Sequence, residues 1–182
     1  MLRPAESGGP VAHAAWLAGS MDDQLTARRF IEADPAAVFA VLRDPAGHVE
    51  IDASGMLQEA TGGPVGAVGD RFTVQMDREA KGDLPMGRYE VDVVIDRYRP
   101  DREIAWWIDG TVKPPIGHTY GYVLEPDEVD GRPGTWVTSV YDWSQVSEEW
   151  RPVFPVVGQS ELRATLGILD RVVRRRARGV TA

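Results

Sequence analysis

The 182-residue chain contains no cysteine. Disulfides, thiolate catalysis and cysteine-ligated zinc are therefore excluded, and the composition fits a reducing compartment. Histidine is scarce as well: His13, His48 and His118 are widely separated, so no local spacing supports a metal site, and neither a metal nor a cofactor is expected. Long apolar runs are missing. Residues 11–18 follow no basic region and fall well short of a membrane span, so no stable membrane insertion is expected and the cytoplasm is the default location. Positive charge is in deficit, with 20 Lys plus Arg against 28 Asp plus Glu and a net charge of -8, which argues against nucleic acid or an anionic membrane as partner. Internal repeats and low-complexity tracts are also lacking. At 43% hydrophobic and 26% charged residues, the remainder reads as a folded, soluble chain.

Residues 1–21 read as a flexible or weakly ordered leader, with a short amphipathic helix at 11–17 as the sharper alternative. Residues 22–182 form one domain. Within it, 24–32 alternate as a strand and run straight into a helix from Pro35 to Arg43. Asp34 can accept the free N–H groups of the first turn, and proline loses nothing at the first helical position. Asp44-Pro45-Ala46-Gly47 reads as the stop, with a short helical turn at 48–50. Every later periodic segment but the last is strand-like: 56–61, 71–77, 88–98, 103–108, 118–124 and 135–143. Residues 127–134 read as a charged hairpin. The glycine-rich stretch 62–70 lacks the Lys-Ser/Thr of a phosphate loop and opens no dinucleotide-binding helix, so it reads as a turn.

Residues 148–158, with Trp150 and Phe154, read as an ordered loop able to rim an opening. A final helix spans 160–178, where Leu162, Leu166, Leu169 and Val173 recur at spacings of four, three and four. Glu161 at its start and Arg174-Arg175-Arg176 at its end suit the helix dipole, and Gly179 is placed to cap it. Gly167 interrupts this helix at about 1 kcal/mol relative to alanine, which close contact with the sheet, or room for a ligand, would offset.

Seven strands and a closing helix predict a curved sheet gripping a helix, with space between them. The alternating faces supply candidates to line that space: Phe72, Val74, Met76, Tyr89, Val91, Trp106, Tyr120, Tyr122, Tyr141, Trp143, Leu162 and Leu166. Aromatic rings give broad apolar contact, and tyrosine hydroxyls orient polar groups; ordinary core packing would use the same residue types. Trp106 and Trp107 are adjacent in a strand, so at most one faces the interior. His118 is the candidate acid or base, with Tyr120 and Asp142 as companions and Arg71, Arg88 or Arg102 to orient an anion. Asp92/Asp96 and Asp101/Glu103 read as solvated carboxylates.

Four segments resemble the START-like, Bet v 1-like helix-grip superfamily (SRPBCC), particularly its bacterial polyketide cyclase/dehydrase and lipid-transport group. They are Ile31-Glu32-Ala33-Asp34-Pro35-Ala36-Ala37-Val38-Phe39 with Leu42-Arg43-Asp44-Pro45; Val68-Gly69-Asp70-Arg71-Phe72; Gly134-Thr135-Trp136-Val137-Thr138 leading to Tyr141-Asp142-Trp143; and Tyr98-Arg99-Pro100-Asp101-Arg102-Glu103-Ile104-Ala105-Trp106. The resemblance spans about residues 25–176. It implies an α+β helix-grip fold: a curved seven-stranded antiparallel sheet wrapped around a long C-terminal helix, two short helices after strand one, and an apolar cavity. Glu50-Ile51-Asp52 lacks the tryptophan often found after helix one in relatives, and the leader is extra, so no single relative's substrate carries over. The expected function is binding or transport of a hydrophobic small molecule, lipid-like or aromatic-polyketide-like. The alternatives are a cyclase/dehydratase-like enzyme using pocket His and Tyr groups, and a protein-binding or stress-related module with a filled interior. An exposed sheet edge would allow a homodimer.

Overall fold

A computed structural model describes residues 23–179; the leader and its amphipathic stretch lie outside the described residues. The elements follow in the order β1 (Gln24–Ile31), α1 (Pro35–Leu42), α2 (Pro45–Ile51), β2 (Leu57–Thr61), β3 (Arg71–Asp77), β4 (Arg88–Arg99), β5 (Glu103–Asp109), β6 (Thr119–Val129), β7 (Arg132–Asp142) and α3 (Gln159–Ala177). All seven strands join one antiparallel sheet in the order β1-β7-β6-β5-β4-β3-β2. Chain-adjacent strands pair as hairpins, and only β1 crosses over, to the edge beside β7. Register shifts at Leu57/Glu59 in β2 and Ile95/Arg97 in β4 insert the extra residue that bends a strand and increases its twist.

Local chemistry sets the start of each helix. The Asp34 carboxylate accepts from the Ala36 N–H at 2.8 Å, with Pro35 opening α1. Asp44 does the same for α2, accepting from the Ala46 N–H at 3.1 Å. Asp44-Pro45 is thus the cap of a second helix and not merely the stop of the first, because a capping carboxylate and an N1 proline open a helix wherever they recur. Residues 127–134 are paired through to the turn. Asp130 and Gly131 take φ of 52° and 73°, the double left-handed conformation that suits a two-residue hairpin, so β6 and β7 extend almost to each other.

The glycine-rich segment 62–70 is fixed as a loop by Asp70, whose carboxylate accepts from the Gly66 and Ala67 N–H groups at 2.7 and 3.0 Å. Buried Val65 pins it to α1 by donating its N–H to the Arg43 carbonyl at 2.9 Å. Helix α3 packs on β1, α1 and α2. Leu166, Leu169, Val172 and Val173 are buried there with Ile31, Val38, Leu42 and Val137, so the C-terminal half of the helix meets a solid core. At Gly167 a Cβ would meet nothing within 4 Å, and Gly167 does not line the cavity. Neither offset expected for that glycine is found.

Candidate ligand cavity

The N-terminal half of α3 does not reach a filled interior. Beneath Glu161, Leu162 and Thr165 lies a cavity of about 450 Å³. The inner faces of β3 to β7 form its floor, α2 lies at one end, and the segments 84–86, 110–118 and 150–157 line the other. The interior is therefore open and not filled by side chains.

Of the sequence-predicted residues, Val74, Met76, Tyr89, Val91, Trp106, Tyr120, Tyr122, Leu162 and His118 line the cavity. They come from β3, β4, β5, α3, β6 and the residue just before β6, because alternate residues of paired strands share one face. Trp106 faces in, and Trp107 is half-buried outside the lining. Phe72, Tyr141, Trp143 and Leu166 are buried at 2%, 0%, 7% and 1% exposure but do not line the cavity. Instead they support it: Phe72 packs on the His48 ring at 4.8 Å, and Tyr141 stacks under Tyr120 at 4.5 Å. Trp143 lies against Tyr141 at 5.1 Å. Trp150 and Phe154 stand in the wall as the loop reading expected.

An aromatic row crosses the floor. His48 meets Trp106 at 4.6 Å, Trp106 meets Tyr120 at 6.2 Å, and Tyr120 meets His118 at 5.6 Å between ring centroids. His118 is also 5.2 Å from Phe154. Burial, and after it the nearby Arg78 charge, lowers the His118 pKa to about 4, so the imidazole is neutral at physiological pH. Among the described residues it makes no hydrogen bond, and its Nδ1 is a buried atom without a partner. Burial pushes the hydroxyls of Tyr120, Tyr122 and Tyr141 above their ordinary pKa, which keeps them as neutral O–H groups.

The expected companions of His118 are only partly present. Tyr120 is adjacent, but Asp142 accepts from Gln24 Nε2 at 3.0 Å and Ser144 Oγ at 2.7 Å and does not line the cavity. Arg71 and Arg88 are exposed and paired with Asp109 and Asp77, and Arg102 is exposed; none reaches the lining. The guanidinium at the cavity belongs to Arg78, 5% exposed, whose Nε and Nη2 donate to the two Asp83 oxygens at 2.8 and 2.7 Å. It sits just past the end of β3, where period-two reading stops. Glu103 is not solvated: it is 6% exposed, with Arg99 3.7 Å away.

Two other lining groups were missed because their signals are tertiary. His48 is 6% exposed and its Nε2 lies 2.7 Å from the Leu42 carbonyl oxygen; burial lowers its pKa to about 4. Glu161 accepts from the Gly158 N–H at 2.6 Å and from Lys81 Nζ at 2.9 Å. Burial pushes its carboxyl up, but these hydrogen bonds outweigh burial and hold it below its ordinary value. Lys81 also donates to the Val156 carbonyl at 2.7 Å, tying the β3–β4 connection to the wall segment and to the start of α3. Among the described residues, no cluster of three or more His, Asp or Glu could hold a metal ion, and no helix is long and apolar enough to cross a membrane.

No family model and no curated protein sequence matches this chain. Solved structures do match it. A protein from Deinococcus radiodurans is 17% identical over 86% of this chain and 98% of its own, with a TM-score of 0.56. A Mycobacterium smegmatis protein is 18% identical over 86% and 95%, with a TM-score of 0.58. The fold is a helix grip. The Aha1 dimer from Colwellia psychrerythraea shares it as well, at 17% identity over 82% of this chain and 95% of that one and a TM-score of 0.52. At such identities the likeness establishes architecture alone.

Proposed function

We propose that this protein binds or carries a hydrophobic small molecule, lipid-like or aromatic-polyketide-like, inside the cavity. The carrying observation is the 450 Å³ space left between the sheet and the first half of α3, walled largely by apolar and aromatic side chains. Moving apolar ligand area out of water into such a space yields roughly 25 cal/mol per Å² before association costs. The few polar groups on the wall would set orientation.

The test uses the neutral fluorescent probe N-phenyl-1-naphthylamine, with native mass spectrometry of the purified protein to detect a co-purified molecule. Saturable binding of one probe per chain is expected. Val91 lines the cavity from β4 at 8% exposure, and Val91→Trp should weaken probe binding at least about ten-fold by occupying the space. Unsaturable probe binding, or binding unchanged in Val91→Trp, would count against the reading.

A cyclase/dehydratase-like reaction is the second reading, favoured by one observation: His118 is a neutral imidazole at the cavity wall with no hydrogen-bond partner among the described residues. Such a group could take a proton from a bound polyketide. His118→Gln should then abolish turnover and spare probe binding. Self-association is a separate proposal, supported by the dimeric state of the Colwellia neighbour and by the open sheet edges at β1 and β2; sedimentation equilibrium reads it directly.

A further inference from the structure

One nitrogen at the α2 end of the cavity narrows the class of ligand, on the premise that the cavity binds one. His48 lies on α2 with its ring between Phe72 and Trp106. Its Nε2 is 2.7 Å from the Leu42 carbonyl oxygen. A carbonyl can only accept, so Nε2 carries the proton, and in the neutral ring Nδ1 is left as a lone-pair acceptor. No hydrogen bond to Nδ1 exists among the described residues. His48 lines the cavity, which is the space from which a donor for Nδ1 would come.

The neighbouring charge narrows the choice further. Asp52 lines the same end, its carboxylate already accepting from the Ser54 N–H, the Ser54 hydroxyl and the Leu57 N–H at 2.9, 2.7 and 3.0 Å. A lone pair one helical turn from a carboxylate disfavours an anionic headgroup at this end. A cation would have to shed its water for a carboxylate whose hydrogen-bonding capacity is largely taken. A neutral O–H meets neither cost and supplies the donor that Nδ1 lacks. We propose that the ligand is a hydrophobic molecule that presents to this end an uncharged alcohol, phenol or enol hydroxyl, which donates to His48 Nδ1.

The experiment compares 1-naphthol with 1-methoxynaphthalene, an isosteric pair except for the methyl group that removes the donor. Calorimetry on the full chain should show naphthol bound about ten-fold more tightly, the effect of one buried hydrogen bond. In protein labelled with ¹⁵N-histidine, the His48 Nδ1 resonance should move upfield with naphthol and stay in place with the ether. His48→Phe keeps an aromatic ring between Phe72 and Trp106 and should lose the preference while retaining affinity for the ether. That variant leaves the Leu42 carbonyl without its donor, so the ¹⁵N measurement on the unaltered protein decides the matter if the variant does not fold. Equal affinities with an unmoved Nδ1 resonance would overturn the hydroxyl assignment and leave the cavity reading standing. Failure of both probes to bind would take down the cavity reading and this inference together.

Discussion

Two helix-interior glycines have opposite physical roles, and alanine substitution separates them. A Cβ on Gly47 would stand 2.1 Å from the Val41 carbonyl oxygen, so the close approach of α2 to the end of α1 requires a residue without a side chain. Gly47→Ala should cost about 2–3 kcal/mol through forced displacement of backbone, read as a fall in the urea midpoint. Gly167 lies within α3 with open space at its Cβ. Gly167→Ala should therefore stabilise the protein by about 1 kcal/mol, through helix propensity and a less flexible unfolded chain; a loss of stability would mean an unseen contact at that site. The position of Gly167 in a helix was legible in the sequence, whereas the space beside it was not. Asp34-Pro35 announced its cap because that interaction spans two residues. His48 gave no comparable signal, since its partner carbonyl and its aromatic neighbours on β3 and β5 meet it only after folding.

Among the elements, α3 is held to the sheet by a buried carboxylate as well as by its leucines. Asp170, 5% exposed, accepts from Arg29 of β1 through Nε and Nη2 at 3.1 and 2.8 Å, and from Arg174 Nε at 2.6 Å. Asp170→Asn removes the charge that two guanidinium groups share and should lower stability by about 2 kcal/mol, with the denaturant m-value unchanged. A neutral outcome would show that these pairs are as weak as ordinary surface ion pairs. The terminal arginines illustrate what sequence reading of an element misses. They suit solvation and the helix dipole, yet Arg174 belongs to the Asp170 cluster, and Arg176 reaches Glu50 at 2.8 Å and Asp44 at 3.6 Å. Helix periodicity places those side chains on the last turns; only the packing of α3 beside α2 brings the acids to them.

For the whole molecule, the two cavity histidines predict how stability depends on pH. Each has an ordinary pKa of 6.5 and is lowered to about 4 in the folded protein. Between those values the unfolded chain binds more protons than the native one, so stability rises with pH across this window. The contribution is complete above about pH 6.5 and drains away as pH falls towards 4. Buried His48 accounts for on the order of 3 kcal/mol of it, and half-buried His118 adds less. Urea midpoints measured from pH 7 to pH 4.5 should fall steadily; a flat profile would show that neither ring is desolvated as the fold places it.

The architecture was set by signals that act over a few residues: period-two alternation for seven strands, a leucine stripe for α3, and capping aspartates before prolines. These follow from backbone sterics and from which face of an element must leave water, so a linear chain carries them. The cavity depended on something else. It is the volume that packing leaves unfilled where a bulged sheet curves away from the first half of α3 while the second half meets a solid core. Its polar groups come together only there, Arg78 from beyond β3, Glu161 from α3 and His48 with its proton fixed by a backbone carbonyl. Space between elements has no residue of its own, which is why tertiary structure alone decided where it lies and which atoms it exposes.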